Sequence, residues 1–241
     1  MPRLLDLFSG RWGWGRAFAE RGWDVVGVDL VEPPEIPCDC QFLQADILTA
    51  RVESGEIDVS MANQNFMLGT FDFICASSPC EEFSVHGMKH FHPNPKYPEM
   101  GIKLFNHTRA LCEAAGVPYV MENVRPAQKF VGQAVNHCGP FYLWGTGVPP
   151  LMPQGISKKG DFRALPGSVL EKIKRLGLDV KSERNKYQRI RCEDYNGPTG
   201  TRCFSSSSQA RKDATARAAT IPRELAACVA DYATRLCEVS A

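Results

Sequence analysis

The chain alternates short apolar runs with longer stretches of helical spacing. "RLLDLF" at 3–8 has strand length and breaks into a glycine-rich turn, "SGRWGWG". "RAFAERG" then reads as a helix closed by Gly22, in the position where glycine ends many helices. "WDVVGVDL" is a β-branched strand terminating at Asp29, "FLQADIL" a third strand reaching Asp46, and "FDFICA" a fourth. In "GIKLFNHTRALCEAAG", Leu104, Thr108, Leu111 and Ala115 fall on one helix face, and the pattern stops at Gly116. "VPYVMENV" is a fifth strand. Apolar strands alternating with helices predict an α/β fold, a parallel sheet with helices on both faces.

From about Cys138 the pattern changes. "CGPFYLWGTGVPPLMPQG" is rich in Gly and Pro and predicts irregular structure or a connector. A last helix begins at "IPRELAACVADYATRL", where Pro222 suits a first turn and Leu225, Val229, Tyr232 and Leu236 share a face.

Composition narrows the class without deciding it. Among 241 residues, 44% are hydrophobic and 23% charged, which fits a folded globular chain and not a disordered one. No apolar run approaches the roughly 20 residues of a membrane span, and "MPRLLDLFSG" is too short in apolar character for a signal peptide. Ten cysteines with no secretory signal predict a reduced, cytoplasmic protein. Cys38 and Cys40 form a CxC without a second close pair, so no metal site is expected, and the histidines at 86, 90 and 92 read as loop polarity. The net charge of +1 hides an asymmetry. Residues 1–150 hold 11 Lys and Arg against 17 Asp and Glu, a net of −6, whereas 151–223 hold 16 against 7, a net of +9. A basic segment after an acidic one is a footprint of polyanion binding.

Ligands of open parallel sheets bind at the carboxyl ends of the strands. Here those ends carry Asp6 to Gly15, Asp29, Asp46, Ser77 to Glu82, and Glu122 with Asn123. A glycine-rich turn after the first strand, with an acid ending the second, suits an adenosine-containing cofactor, because Asp29 can accept both ribose hydroxyls. "GRWGWGRAF" lacks the third glycine of the dinucleotide fingerprint, and its two tryptophans crowd the approach of a pyrophosphate. A cofactor without phosphate fits better, with S-adenosylmethionine the obvious one and Asp46 available to the adenine amino group.

"DLFSG" near the start, "SPCEEFS" after the fourth strand and "ENV" ending the fifth resemble, in that order, the DNA cytosine-5 methyltransferases. The resemblance covers roughly 3–135, and "ATARAATIPRELAACVA" resembles the family's last motif. The short chain, with "HPNPKYPEMGIKLFNHTRALCEAAGVPYVMENV", is similar to the small phage-type branch. The resemblance implies a Rossmann-like class I S-adenosylmethionine-dependent methyltransferase sheet. It implies a catalytic and cofactor-binding domain over 1–141, a small, irregular basic recognition segment over 142–212, and a C-terminal helix over 213–241 returning to the catalytic domain. Asp6, Phe8, Ser9, Gly10, Gly13, Asp29, Asp46 and Pro79 are then the candidate cofactor residues. Ser84, Asn123, Lys181, Arg184, Lys186 and Arg189 are candidate substrate contacts.

The chemistry agrees with that resemblance. Cytosine C5 is too weak a nucleophile to take a methyl group unaided, so a thiolate must first add to C6. Cys80 stands where that thiol is needed, and Glu122 is suited to hydrogen-bond the base at N3 and its amino group. The target base must leave the duplex to be reached. The family usually has Pro-Pro-Cys-Gln; Ser78 in place of the first proline is expected to loosen the turn, and Glu81 places an acid where an amide is usual. The family's Gln-x-Arg-x-Arg strand has an echo in "YQRIRC", making Arg191 a candidate for the base O2. Double-stranded DNA is the expected partner, with no membrane and no obligate protein partner, in the cytoplasm of a bacterial host if phage-encoded. RNA or a free cytosine nucleotide as substrate, and an inactive binding module, are the competing readings.

Overall fold

Leu4 and Leu5 of the first strand face opposite ways, and the same alternation feeds two separate cores along the whole sheet. The computed structural model of the chain describes residues 1–61, 64–87, 97–153 and 220–240. They form β1 (Arg3–Leu7), α1 (Gly13–Ala19), β2 (Asp24–Asp29), β3 (Cys40–Gln44), β4 (Arg51–Glu53), β5 (Glu56–Met61) and β6 (Gln64–Gly69). Then come β7 (Phe73–Ser77), α2 (Glu81–Gly87), α3 (Glu99–Ala115), β8 (Tyr119–Val124), α4 (Gln128–Val131), β9 (Asn136–Cys138), β10 (Phe141–Trp144) and α5 (Arg223–Ser240). The chain divides into two units, Met1–Ile156 with Ile221–Ala241, and Ser157–Thr220; these elements belong to the first.

Seven strands form one sheet in the order β3-β2-β1-β7-β8-β10-β9. The first five run parallel. Strand order reverses between β1 and β7, and such a reversal opens a crevice at the carboxyl ends of the two strands.

On one face Leu5, Leu7, Val26, Val28, Ile74, Ala76 and Met121 pack with Phe105, Leu111 and Cys112 of α3. On the other, Leu4, Val25, Phe73, Cys75 and Val120 pack with Trp14, Ala17 and Phe18 of α1 and with Leu225, Val229 and Ala233 of α5. The helices thus cover both faces, as expected. α3 ends at Gly116 with φ +70°, a conformation that strains any side chain. On α5, Leu225 and Val229 are fully buried, and Tyr232 and Leu236 half-buried. Arg21 pairs with Asp231 at 2.5 Å, and the Trp23 indole donates to Thr234 Oγ1 at 3.1 Å, fixing α5 against the end of α1.

Three expectations need correction. The sheet is mixed, because β10 pairs antiparallel with β8 and β9 with β10. The stretch that looked irregular after Cys138 is this hairpin, turned at Gly139, and its strands are too short to show a period. The third strand stops at Gln44; Asp46 instead caps a 3-10 turn, Ile47–Thr49, accepting from Leu48 N at 3.0 Å. Residues 51–69, which the pattern left unassigned, form a second, antiparallel sheet in the order β4-β5-β6. No helix among the described residues is long and apolar enough to cross a membrane.

Candidate active site

Alternation sorts the polar groups at the strand ends by face. Asp6 lies two residues after Leu4, Ser77 two after Cys75 and Glu122 two after Val120, so all three sit on the α1 face, as does Asp29. Ser77 and Glu122 are neighbours in register across β7 and β8. Ser78 and Asn123, one residue further along, belong to the opposite face.

The loop between β1 and α1 is backbone-strained. Phe8, Gly10 and Trp12 all have positive φ, +59°, +48° and +60°. For the two aromatic residues that conformation costs of order 1–3 kcal/mol each, so the surroundings must impose it. They do so by burying the Trp12 ring completely, over Gly27 of β2 and Gly15 of α1. A Cβ at Gly27 would collide with that ring. Asp29 Oδ2 accepts from Gly10 N at 2.9 Å, and Ser9 N donates to Val28 O at 3.2 Å.

Asp6 lies beneath this loop, almost fully buried, with Oδ2 accepting from Gly15 N at 3.0 Å in the first turn of α1. Burial pushes its carboxyl up to about 8; the Gly15 N–H pulls down and the Asp29 charge pushes up further. Asp6 is therefore neutral through most of the physiological range. A raised acid pKa contributes stability that is complete below the ordinary value of 3.8 and lost as pH rises through about 8. Asp6→Asn keeps an acceptor for Gly15 and cannot ionise. Its melting temperature is expected to fall less than that of the wild type between about pH 5 and pH 8.5. Parallel pH profiles of the two proteins would show that Asp6 titrates normally.

The turn after β7 presents Cys80. Pro79 is exposed and Cys80 half-buried, and the Cys80 carbonyl accepts from Ser84 N at 2.9 Å, so α2 starts directly after the thiol. Glu82 Oε2 accepts from Gly101 N at 2.7 Å in the first turn of α3, and Phe83 is buried against Phe130. Asn123 donates to the Ser78 carbonyl at 3.0 Å and the Ser78 hydroxyl at 3.1 Å, while its own oxygen accepts from Val124 N at 2.8 Å. Ser78, expected to loosen the turn, is buried and ties it to β8, because a hydroxyl offers an acceptor that proline lacks. Glu122 is 6% exposed beside this turn.

Three other thiols are poor candidates for a nucleophile. Burial pushes Cys75 well up, Cys112 up to about 12 and Cys40 up to about 12, so each stays protonated.

The structure therefore gathers Asp6, Phe8, Ser9, Gly10 and Asp29 at the ends of β1 and β2, and Pro79, Cys80, Glu122 and Asn123 at the ends of β7 and β8, with Ser84 in α2; Gly13 opens α1 against Ile221, where a Cβ would collide. Asp46 is exposed and lies beside Asp29 through Ala45 N, which donates to Asp29 O at 2.9 Å. Lys181, Arg184, Lys186, Arg189 and Arg191 lie outside the described residues. Among the described residues no group of His, Cys, Asp and Glu is arranged to hold a metal ion. Asn123 is suited by sequence to hold the turn, but its partner Ser78 and the reach of the Trp14 indole to Ser77 were not legible; both contacts join residues far apart in the chain.

Comparison with known proteins adds a family. The family model for C-5 cytosine-specific DNA methylases matches residues 3–135. Comparison with curated proteins finds no match. Among solved structures, the chain is similar to the glycopeptide N-methyltransferase MtfA complexed with S-adenosyl-L-methionine, at 15% identity and TM-score 0.29, over 51% of this chain and 44% of that one. It is similar to the 1,6-didemethyltoxoflavin-N1-methyltransferase of Burkholderia thailandensis, at 18% identity and TM-score 0.29, over 60% and 55%. It is similar to the CcbJ methyltransferase of Streptomyces caelestis, at 16% identity and TM-score 0.30, over 57% and 47%. The matched part of the chain spans about half the length of each of these proteins.

Proposed function

The chain belongs to the C-5 cytosine-specific DNA methylase family, and from that premise we propose that it transfers a methyl group from S-adenosylmethionine to C5 of a cytosine in DNA. The observation that carries the reading is the placement of Cys80 and Glu122 at adjacent strand ends, beside the β1 loop at the point where strand order reverses.

The residues at the β1 and β2 ends fit the donor. Ser9 Oγ and Asp6 Oδ1 are buried with no hydrogen-bond partner among the described residues, which leaves polar groups available at the loop. Gly10 turns the backbone without a side chain, and Asp29 borders it to receive the ribose hydroxyls. When bound, S-adenosylmethionine supplies an electrophilic methyl group on its sulfonium. Cys80, as thiolate, adds to C6 of a cytosine swung out of the duplex, and the electron pair moves to C5. Glu122 holds N3 and the amino group, offsetting charge as the thiolate adds. Once C5 carries the methyl group, loss of its proton and departure of the thiolate restore the aromatic ring. Asn123 holds the Cys80 turn throughout through Ser78.

Tritium transfer from labelled donor to DNA, RNA and dCMP, with bisulfite mapping of the DNA product, tests this reading. Label in DNA mapped to cytosine C5 is the expected result. Label confined to RNA or dCMP moves the substrate, and none in any arm leaves an inactive binding module.

Asp29→Ala is expected to weaken donor binding by about 1–3 kcal/mol, the cost of losing hydrogen bonds to a charged acceptor. Titration calorimetry reads this directly; unchanged affinity places the donor elsewhere.

The basic segment 142–212 is proposed as the DNA-facing region, since the acidic first 150 residues need a compensating cationic surface. Binding should then weaken with salt at a log–log slope of about −0.9 per phosphate contact. Replacing Lys181, Arg184 and Lys186 together by alanine is expected to flatten that slope by up to about 2–3 units. An unaltered slope would leave them as solvated surface.

A further inference from the structure

We propose that Trp14 and Ser77 are positioning residues, through which the loop that receives the donor controls the presentation of the Cys80 thiol. The inference rests on the methyl-transfer reading above and adds to it a link between its two halves.

The observation is a hydrogen bond across 63 positions of sequence: the Trp14 indole N–H donates to Ser77 Oγ at 2.9 Å. Trp14 is 2% exposed and sits in the first turn of α1, directly after the strained loop. Ser77 is the last residue of β7, three before Cys80, and pairs in register with Glu122. An indole N–H is a donor only and usually finds an acceptor when buried; that of Trp12 has none among the described residues, whereas that of Trp14 is spent on Ser77, which ties α1 to the turn.

Two grips therefore hold the turn, one from each face of the sheet. Asn123 grips Ser78 from β8, a strand fixed within the sheet on both sides. Trp14 grips Ser77 from α1, whose starting position is set by Trp12, Asp6 and the left-handed loop. The first grip is made from β8 and does not pass through the β1 loop. The second ends at the loop where the donor would sit. A loop held in strained conformations is the element whose arrangement a ligand can bias, and the contacts from that loop through Trp14 to Ser77 are continuous. Donor binding thus changes how Cys80 is presented. The chemical benefit is that the thiol is committed to a base only when a methyl group is at hand.

The test reads Cys80 without turnover. Alkylation of Cys80 by N-ethylmaleimide is followed by peptide mass spectrometry, with and without saturating S-adenosylhomocysteine, whose affinity is measured by calorimetry. In the wild type the product is expected to change the alkylation rate by about fivefold or more, the usual lower range of coupling between sites. Ser77→Ala and Trp14→Phe should each bring that ratio below about twofold, and the double variant should add nothing further. Ser77→Thr keeps the hydroxyl and should restore the wild-type ratio, which a general loss of packing would not allow. S-adenosylhomocysteine affinity should stay within about threefold throughout, since the Trp14 N–H and the Ser77 hydroxyl are spent on each other. Wild-type ratios in Ser77→Ala and Trp14→Phe overturn the link, as does a wild-type ratio of one with S-adenosylhomocysteine demonstrably bound. Failure of the methyl-transfer reading is distinct: calorimetry then shows no binding of S-adenosylhomocysteine, and the link falls with it.

Discussion

Replacing Cys80 by serine is expected to lower methyl transfer by at least about 10³-fold, roughly 4 kcal/mol of transition-state stabilisation, with donor affinity nearly unchanged. The reaction needs an anionic nucleophile at C6. A thiol is far more acidic than a hydroxyl, so a serine at this position would supply essentially no anionic nucleophile at neutral pH. The exchange changes one atom in a half-buried side chain, and the backbone contacts of the turn, from Ser84 N and Asn123, do not involve sulfur. Folding is therefore expected to persist. Tritium transfer measures the rate, and a second readout identifies the bond. Wild type incubated with donor and DNA containing 5-fluorocytosine should form a covalent adduct, because the C5 fluorine cannot leave as a proton does. The adduct should map to Cys80 and be absent from the serine variant. Transfer by that variant at near the wild-type rate would falsify the role.

Glu122→Gln is expected to lower the chemical step by about 10²–10⁴-fold, the range of a positioned acid or base. Glutamine preserves size and one acceptor, but it cannot hand a proton to N3 as the thiolate adds. Glu122 lies at a strand end buried beside Ser77, so the proposed contact with the base would be shielded from bulk water. Single-turnover kinetics at saturating donor isolate this step, and calorimetry should find donor affinity changed little. The reverse pattern, donor binding lost and transfer intact at saturation, would place Glu122 on the donor.

The sequence by itself determined the strands β1, β2, β7 and β8, the helix α3 and the order of the chemical groups at their ends. Each of these is encoded locally. A strand buried on both faces must be apolar along most of its length, as in "FICA", and a helix must repeat its buried face; in α3 that face runs through Phe105, Thr108, Leu111 and Cys112, with the expected Leu104 only half-buried. Asp29, Cys80, Glu122 and Asn123 stood out because a polar residue at the end of such a run has no packing reason to be there. The hairpin of β9 and β10 and the small sheet of β4, β5 and β6 were not legible. β4, β9 and β10 have only three or four residues, and an antiparallel partner is chosen by the neighbouring edge, not by the strand's own pattern.

Only the tertiary structure decided how the candidate site is held. The departure from the family's Pro-Pro-Cys-Gln suggested that Ser78 loosens its turn; sheet pairing brings Asn123, 45 positions later, to bond it twice. The same is true of Trp12 and Trp14, which read as crowding in a glycine-rich loop. One fills the space above Gly27, a cavity created by β2, and the other meets Ser77 across the reversal of strand order. Periodicity records what a residue needs from its immediate neighbours. Which distant residue meets that need depends on the sheet order, and that is fixed only when all strands pack together.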